Sequence, residues 1–235
     1  MLVIGHRGAA GYAPENTLRS FSRAIELGVD YVEADLQLTR DGEIVVFHDK
    51  LLDRVTNASG YLRDRDFEDL REDARIGDER IPSLRELCDL LRGTSVGLMA
   101  EVVTPGAETP ALRIIDERLG LSRCLVASFH HDVLRNVRAT APDVDTIALV
   151  EGAPIDPVRM LADCGATCAG LGFDSIRADQ VSLLREAGAR VLAWTVNDAR
   201  EISRAASMGV DGVISDFPDR VRAGLSATAT AHRPS

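Results

Sequence analysis

Short apolar runs alternate with amphipathic stretches along nearly all of the 235 residues, and that pattern predicts an α/β chain: a TIM-type (β/α)8 barrel with a small insertion after the second strand. Three observations carry the prediction. Eight runs read as parallel strands, each followed by a helical stretch. Runs such as VLAWTV and GVIS are apolar without alternation, as strands buried on both faces are. Length also fits, because one barrel of this type takes about 250 residues. A doubly wound open sheet is the competing fold, but no Gly-x-Gly-x-x-Gly follows any strand, so a dinucleotide-binding version has no support.

The elements follow in order. Leu2–Gly5 is a short apolar run ending in glycine. Residues 16–27 place Leu18, Phe21, Ala24 and Ile25 at helical spacing and close at Gly28, as a helix end does. Asn16 or Glu15 stands near the cap, and Pro14 just precedes it. Tyr31–Leu38 and residues 44–47 are β-rich and joined through Asp41-Gly42, a strong hairpin signal. Residues 50–82 are charge-dense and break the rhythm; they read as the insertion, lying over the barrel mouth. Ser83 caps the next helix. Strands are then expected at 96–103, 124–129, 146–150, 168–173, 190–196 and 212–215, with helices between them and a last helix opening at Pro218. Residues 1–224 read as one barrel domain. The segment 225–235 carries no apolar periodicity and is expected to be a disordered tail.

Composition excludes several classes. A net charge of −10 speaks against nonspecific nucleic-acid binding and against an anionic membrane surface, since both need basic patches. A phosphorylated substrate stays open, because a local cation outweighs the global field. Lys50 is the one lysine. Cys88, Cys124, Cys164 and Cys168 form no C-x-x-C and read as small buried apolar residues. The first residues lack the basic region and long apolar run of a signal peptide, and no stretch is long enough to span a membrane. The chain therefore reads as cytoplasmic, with no membrane insertion. Its oligomeric state is not written in the sequence.

A (β/α)8 barrel places its active site at the C-terminal ends of the strands. Glu33 and Asp35 are two apart on one strand and so share a face. Glu101, on the next barrel strand, can add a third carboxylate. Like charges converge only around a cation, and an all-oxygen set suits Mg²⁺ or Ca²⁺ better than Zn²⁺. One divalent cation is therefore the expected cofactor; a solvated pair on the outside of a strand is the competing reading. His6 and His48 both follow strands and are candidates for general acid and base, since imidazole exchanges protons near neutrality. Arg7 offers a planar fork for a phosphoryl group, and Gly5 and Gly8 flank the pair. Trp194 reads as core or as a pocket wall. Of His130 and His131, one is expected to line the pocket and the other to face solvent.

Together these residues resemble the glycerophosphodiester phosphodiesterase family. The matching pieces are HRG at 6–8, PENT at 14–17, E-x-D at 33–35, the T-x-D-G hairpin leading to VVFHD at 45–49, WTVN at 194–197 and GVDGVISDFPD at 209–219. Six pieces in register, spanning nearly the whole chain, make the resemblance specific. It implies a TIM barrel with an insertion after the second strand and a metal on Glu33, Asp35 and Glu101. It also implies His6 and His48 as the acid–base pair, Arg7 on the phosphate, and a small-molecule glycerophosphodiester substrate cleaved to glycerol 3-phosphate and an alcohol. Trp194, in WTVN, is the further substrate-binding candidate. One departure stands out: where the family has E-x-K, this chain has Glu101-Val102-Val103. A related phosphodiesterase acting on a lysophospholipid or another phosphodiester, or a non-catalytic phosphodiester-binding barrel, are the alternatives that Val103 raises.

Overall fold

The apolar runs form the strands and the amphipathic stretches the helices of a closed barrel. The computed structural model describes residues 1–231, with side chains as far as Leu225. Among the described residues nine strands occur in the order β1 (Leu2–Gly5), β2 (Tyr31–Leu38), β3 (Ile44–Val46), β4 (Gly97–Val102), β5 (Cys124–Ser128), β6 (Asp145–Val150), β7 (Cys168–Gly172), β8 (Arg190–Trp194) and β9 (Gly212–Ser215). Eight of them pair in parallel, and the β1–β2 and β1–β9 pairings close the ring. The exception is β3, which runs antiparallel to β2 as the second arm of the predicted hairpin. The helices are α1 (Leu18–Glu26), α2 (Phe67–Asp73), α3 (Leu84–Arg92), α4 (Glu108–Arg118), α5 (His131–Thr140), α6 (Pro157–Cys164), α7 (Ala178–Glu186), α8 (Ala199–Met208) and α9 (Pro218–Ala231).

Strand alternation divides each barrel strand between two cores. Outward residues such as Val32, Ala34, Leu98, Ala100, Val191 and Val213 pack under the helices. Inward residues Ile4, Met99, Leu125, Ile147, Leu149, Cys168, Leu192 and Ile214 fill the barrel itself. A Cβ on Gly97 would lie 2.3 Å from the Tyr31 ring, so glycine makes room for that large inward side chain. The four cysteines are free and buried, as small apolar residues.

The start of α1 departs from expectation. Its cap is Thr17, whose Oγ1 accepts from Ser20 N at 3.2 Å, and neither Glu15 nor Asn16 caps it. Both of those residues reach into the site instead. The insertion is also more ordered than its charge suggests. Together with Val45 of β3 and Phe47 it forms its own small core from Leu52, Leu62, Leu70, Ala74, Ile76 and Ile81. The charge lies on its surface, and most of the apolar positions, too irregularly spaced for one period, point to that core, while Leu51 and Tyr61 stay exposed. The last helix is drawn through Ala231. It overlaps the segment from residue 225 that was expected to lack structure, and the remainder, 232–235, lies outside the described residues. Among the described residues no helix is long and apolar enough to cross a membrane.

Candidate active site

The parallel register sets Asp35 opposite Glu101 and Glu33 opposite Met99, so two neighbouring strands deliver three carboxylates to one place. Their oxygens lie within 4.8 Å of one another. Glu33 and Asp35 are buried, at 2% and 1% exposure. Glu33 Oε2 accepts from the backbone N of Arg7 at 2.8 Å, while Oε1 is buried with no hydrogen-bond partner. An unpaired buried carboxylate oxygen is costly, and burial together with Asp35 and Glu101 pushes the Glu33 carboxyl well above its ordinary range. Burial, then Asp35, pushes Glu101 up to about 8. An all-oxygen cluster short of positive charge, with one orphaned oxygen, fits a hard divalent cation.

The segment after β1 lies against this cluster. Arg7 has φ +49, in the left-handed region, and the backbone hydrogen bond to Glu33 holds it there. A Cβ on Gly8 (φ +89) would come within 2.6 Å of the Ser20 backbone carbon, so only glycine lets the turn rest on α1. The Arg7 Nη1 donates to Glu15 Oε1 at 2.7 Å. Its Nε lies 3.1 Å from Asp35 Oδ2, near enough for charge attraction, yet that N–H has no aligned acceptor. Burial would lower the guanidinium's pKa, but Asp35, Glu33 and Glu15 outweigh it and leave it raised, so Arg7 is a permanent cation. Asn16 Nδ2 donates to Asp35 Oδ2 at 2.8 Å, fixing that carboxylate.

The second histidine rides on the hairpin. Gln37 Nε2 lies 2.8, 2.9 and 2.8 Å from the carbonyl oxygens of Phe47, His48 and Asp49, and so fastens the backbone that carries His48. The His48 Nδ1 is 2.5 Å from Asp49 Oδ1. Arg54, from the insertion, donates to both oxygens of Asp49 and to both of Glu15. The Arg54 hydrogen bond, more than any other contact, draws the Asp49 carboxyl down to about 2. Arg54 thus joins the support of His48 to the support of Arg7.

A cavity of about 450 Å³ opens between these groups, lined by His6, Arg7, Glu33, His48, Glu101 and Trp194, with Met99, Phe129, Leu149, Glu151, Thr195 and Ile214 completing the wall. His6, His48, Arg7, Glu33, Glu101 and Trp194, chosen from sequence, therefore meet in one place, with Asp35 behind them. Trp194 is a wall, its Nε1 donating to Gly170 O at 3.0 Å, and it packs edge-on to Phe129 with ring centroids 5.3 Å apart. His130 and His131 do not line the cavity. His131 turns its Nε2 toward Leu149 O at 3.1 Å, and the strand end that faces inward is Phe129.

The family model described as "Glycerophosphoryl diester phosphodiesterase family" matches residues 6–220, from the first histidine into the last helix. The chain belongs to this family. It is 34% identical over 230 residues to a glycerophosphodiester phosphodiesterase of Caldanaerobacter subterraneus subsp. tengcongensis, a match covering 93% of this chain and 95% of that one. A glycerophosphodiester phosphodiesterase of Bacillus altitudinis is 32% identical over 236 residues, covering 93% and 95%. Among solved structures, a phosphodiesterase of Oleispira antarctica in complex with the product sn-glycerol-3-phosphate superposes with a TM-score of 0.91 at 28% identity, covering 96% of this chain and 97% of that one.

Within this family frame, Val103 stands just past the end of β4, its N donating to Leu36 O at 3.1 Å, and it does not line the cavity. The residues that sequence reasoning missed are Phe129, Glu151, Gln37, Arg54 and Asp216. Phe129 and Glu151 had a usable signal, since each ends a strand at the mouth. Gln37 had a weaker one, since it continues the Glu33, Asp35 parity along β2. Asp216 had the same signal as Phe129 and Glu151, directly after the last strand and within the 209–219 piece, although its partner His6 is 210 residues away; Arg54 had none, since nothing set it apart from the other charges of the insertion.

Proposed function

We propose that this chain hydrolyses glycerophosphodiesters to glycerol 3-phosphate and an alcohol, with one divalent cation on Glu33, Asp35 and Glu101 and with His6 and His48 as the acid–base pair. The observation that carries this reading is the convergence of three carboxylates, two histidines and Arg7 on a single cavity. The product bound by the Oleispira relative supports glycerol 3-phosphate as the piece released. An Mg²⁺ or Ca²⁺ ion, when bound, neutralises the carboxylates and stabilises negative charge on a phosphate oxygen.

The side chains supply the rest. Arg7, prepositioned by Glu15 and Asp35, lines the cavity and brings the positive charge of its guanidinium to the phosphate. With valine at position 103, phosphate charge falls to Arg7 and the cation. One histidine takes the proton of the attacking hydroxyl, from water or from the glycerol 2-hydroxyl. The other gives a proton to the departing alkoxide as the phosphorus–oxygen bond breaks. Attack by the 2-hydroxyl yields a cyclic phosphate, which water then opens by the same exchange in reverse. Phe129, Leu149 and Trp194 give the cavity apolar walls beside the reacting atoms.

Glycerophosphocholine and glycerophosphoethanolamine, incubated with Mg²⁺, with Ca²⁺ and with chelator, test the proposal through release of glycerol 3-phosphate. Metal-dependent release is expected, and His6→Ala and His48→Ala should each lower kcat about 10²–10⁴-fold. No release by folded protein with either metal would overturn the substrate class. Preference for a lysophospholipid in a parallel incubation would move the substrate to the lipid. Wild-type turnover in both histidine variants would overturn the acid–base scheme.

A further inference from the structure

His6 is held from behind by a chain of polar groups. Its Nδ1 lies 2.7 Å from Asp216 Oδ1, and Asp216 directly follows β9, the strand paired with β1. The second oxygen, Oδ2, accepts from Asn197 Nδ2 at 2.6 Å. Asn197 Oδ1 in turn accepts from Ser215 Oγ at 3.0 Å and from Asp216 N at 2.9 Å. His6 N donates to Ser215 O at 2.9 Å, so ring and carboxylate hang from adjoining backbone. Burial alone would raise the Asp216 carboxyl, but His6, Asn197 and the more distant Arg7 bring it below its ordinary range, so it is an anion.

An ionised carboxylate can only accept, so His6 Nδ1 must donate. In a neutral imidazole that leaves Nε2 bare, and the ring lines the cavity. The two histidines differ in what stands behind their carboxylates. Asp49 shares both oxygens with the Arg54 guanidinium, whereas the Asp216 carboxylate, among the described residues, is hydrogen-bonded besides His6 by the neutral amide of Asn197.

We propose that Asp216, pinned by Asn197, is a positioning residue for His6 that fixes the Nδ1–H tautomer and presents a bare Nε2 to the substrate. The proposal rests on the reading of His6 as one of the acid–base pair. An asparagine at 216 keeps the shape but can turn its NH₂ toward the ring, which then accepts at Nδ1 and carries its proton on Nε2.

The test combines three measurements on Asp216→Asn. In metal-loaded protein, imidazole ¹⁵N shifts of neutral His6 should report the Nδ1–H form in the wild type and the Nε2–H form in the variant. The kcat should fall by about 10²–10⁴-fold with KM changed less than about threefold, the split expected of lost proton transfer rather than lost binding. The His6→Ala/Asp216→Asn double variant should lose no more than His6→Ala alone, since Asp216 acts through His6. An unchanged tautomer in Asp216→Asn, or losses that multiply in the double variant, would overturn the proposal. Should Asp216→Asn fold poorly, Asn197→Ala removes the pin, together with the bonds that Asn197 Oδ1 accepts from Ser215 Oγ and Asp216 N, and lets the carboxylate swing off Nδ1, so part of the Nε2–H form should appear; a wild-type tautomer ratio there would also count against it. Failure of the functional reading is separable, because the tautomer is read without turnover.

Discussion

The barrel interior has a lower half and an upper half, built from the same strands and opposite in chemistry. Two residues along a strand cross the boundary: Ile4 to His6, Tyr31 to Glu33, Met99 to Glu101, Leu149 to Glu151, Leu192 to Trp194, Ile214 to Asp216. Below, inward side chains are buried and apolar, and they add to stability by leaving water and packing closely. Above, three carboxylates crowd together and two of them resist ionisation. The lower half holds the ring closed, and the upper half spends part of that stability to keep charge where a cation and a phosphate can use it.

Changing one residue in each half sharpens the contrast. The largest effect is expected from Glu101→Gln, which should lower turnover by about 10²-fold or more, as loss of one electrostatic stabiliser does. The same variant should melt at a higher temperature than the wild type in chelator at alkaline pH, because one of three mutually repelling carboxylates is gone. A lower melting temperature would mean that the upper half supports the fold in its own right. Next comes Ile147→Ala, in the lower half, where the lost burial and the cavity left behind should cost about 2–5 kcal/mol in denaturant unfolding. Turnover per folded molecule should stay near wild type; a large loss would show that the halves are not separable.

The smallest effect is a slope with pH. Folded Glu101 holds its proton up to about 8, against an ordinary value of 4.5, so the folded state binds more protons than the unfolded state between the two. Its contribution to stability is complete below about pH 4.5 and is lost as pH rises through about 8. Chelated wild-type protein should therefore lose melting temperature across that window, and saturating Mg²⁺ should remove much of the slope. A slope of the same size in Glu101→Gln would assign it to other groups.

What the sequence determined by itself was periodic or local. Strand parity placed Glu33 and Asp35 on one face, Asp41-Gly42 marked the hairpin, and the ends of successive strands located His6, His48, Glu101 and Trp194 at the mouth. The regular alternation of strand and helix was enough for the barrel, because parallel strands covered by helices have few other ways to bury both faces. Periodicity does not say which partner a polar side chain chooses. Asn16 looked like a helix cap, and the fold gave the cap to Thr17 and set Asn16 on Asp35, 19 residues away. Arg54 sat in a charge-dense segment and was indistinguishable from its solvated neighbours until folding carried it to Glu15, 39 residues distant. Asp216 meets His6 across 210 residues, a contact made only because β9 closes the barrel against β1. Local pattern fixes the direction in which a side chain leaves the backbone; closure of the ring fixes what it meets there.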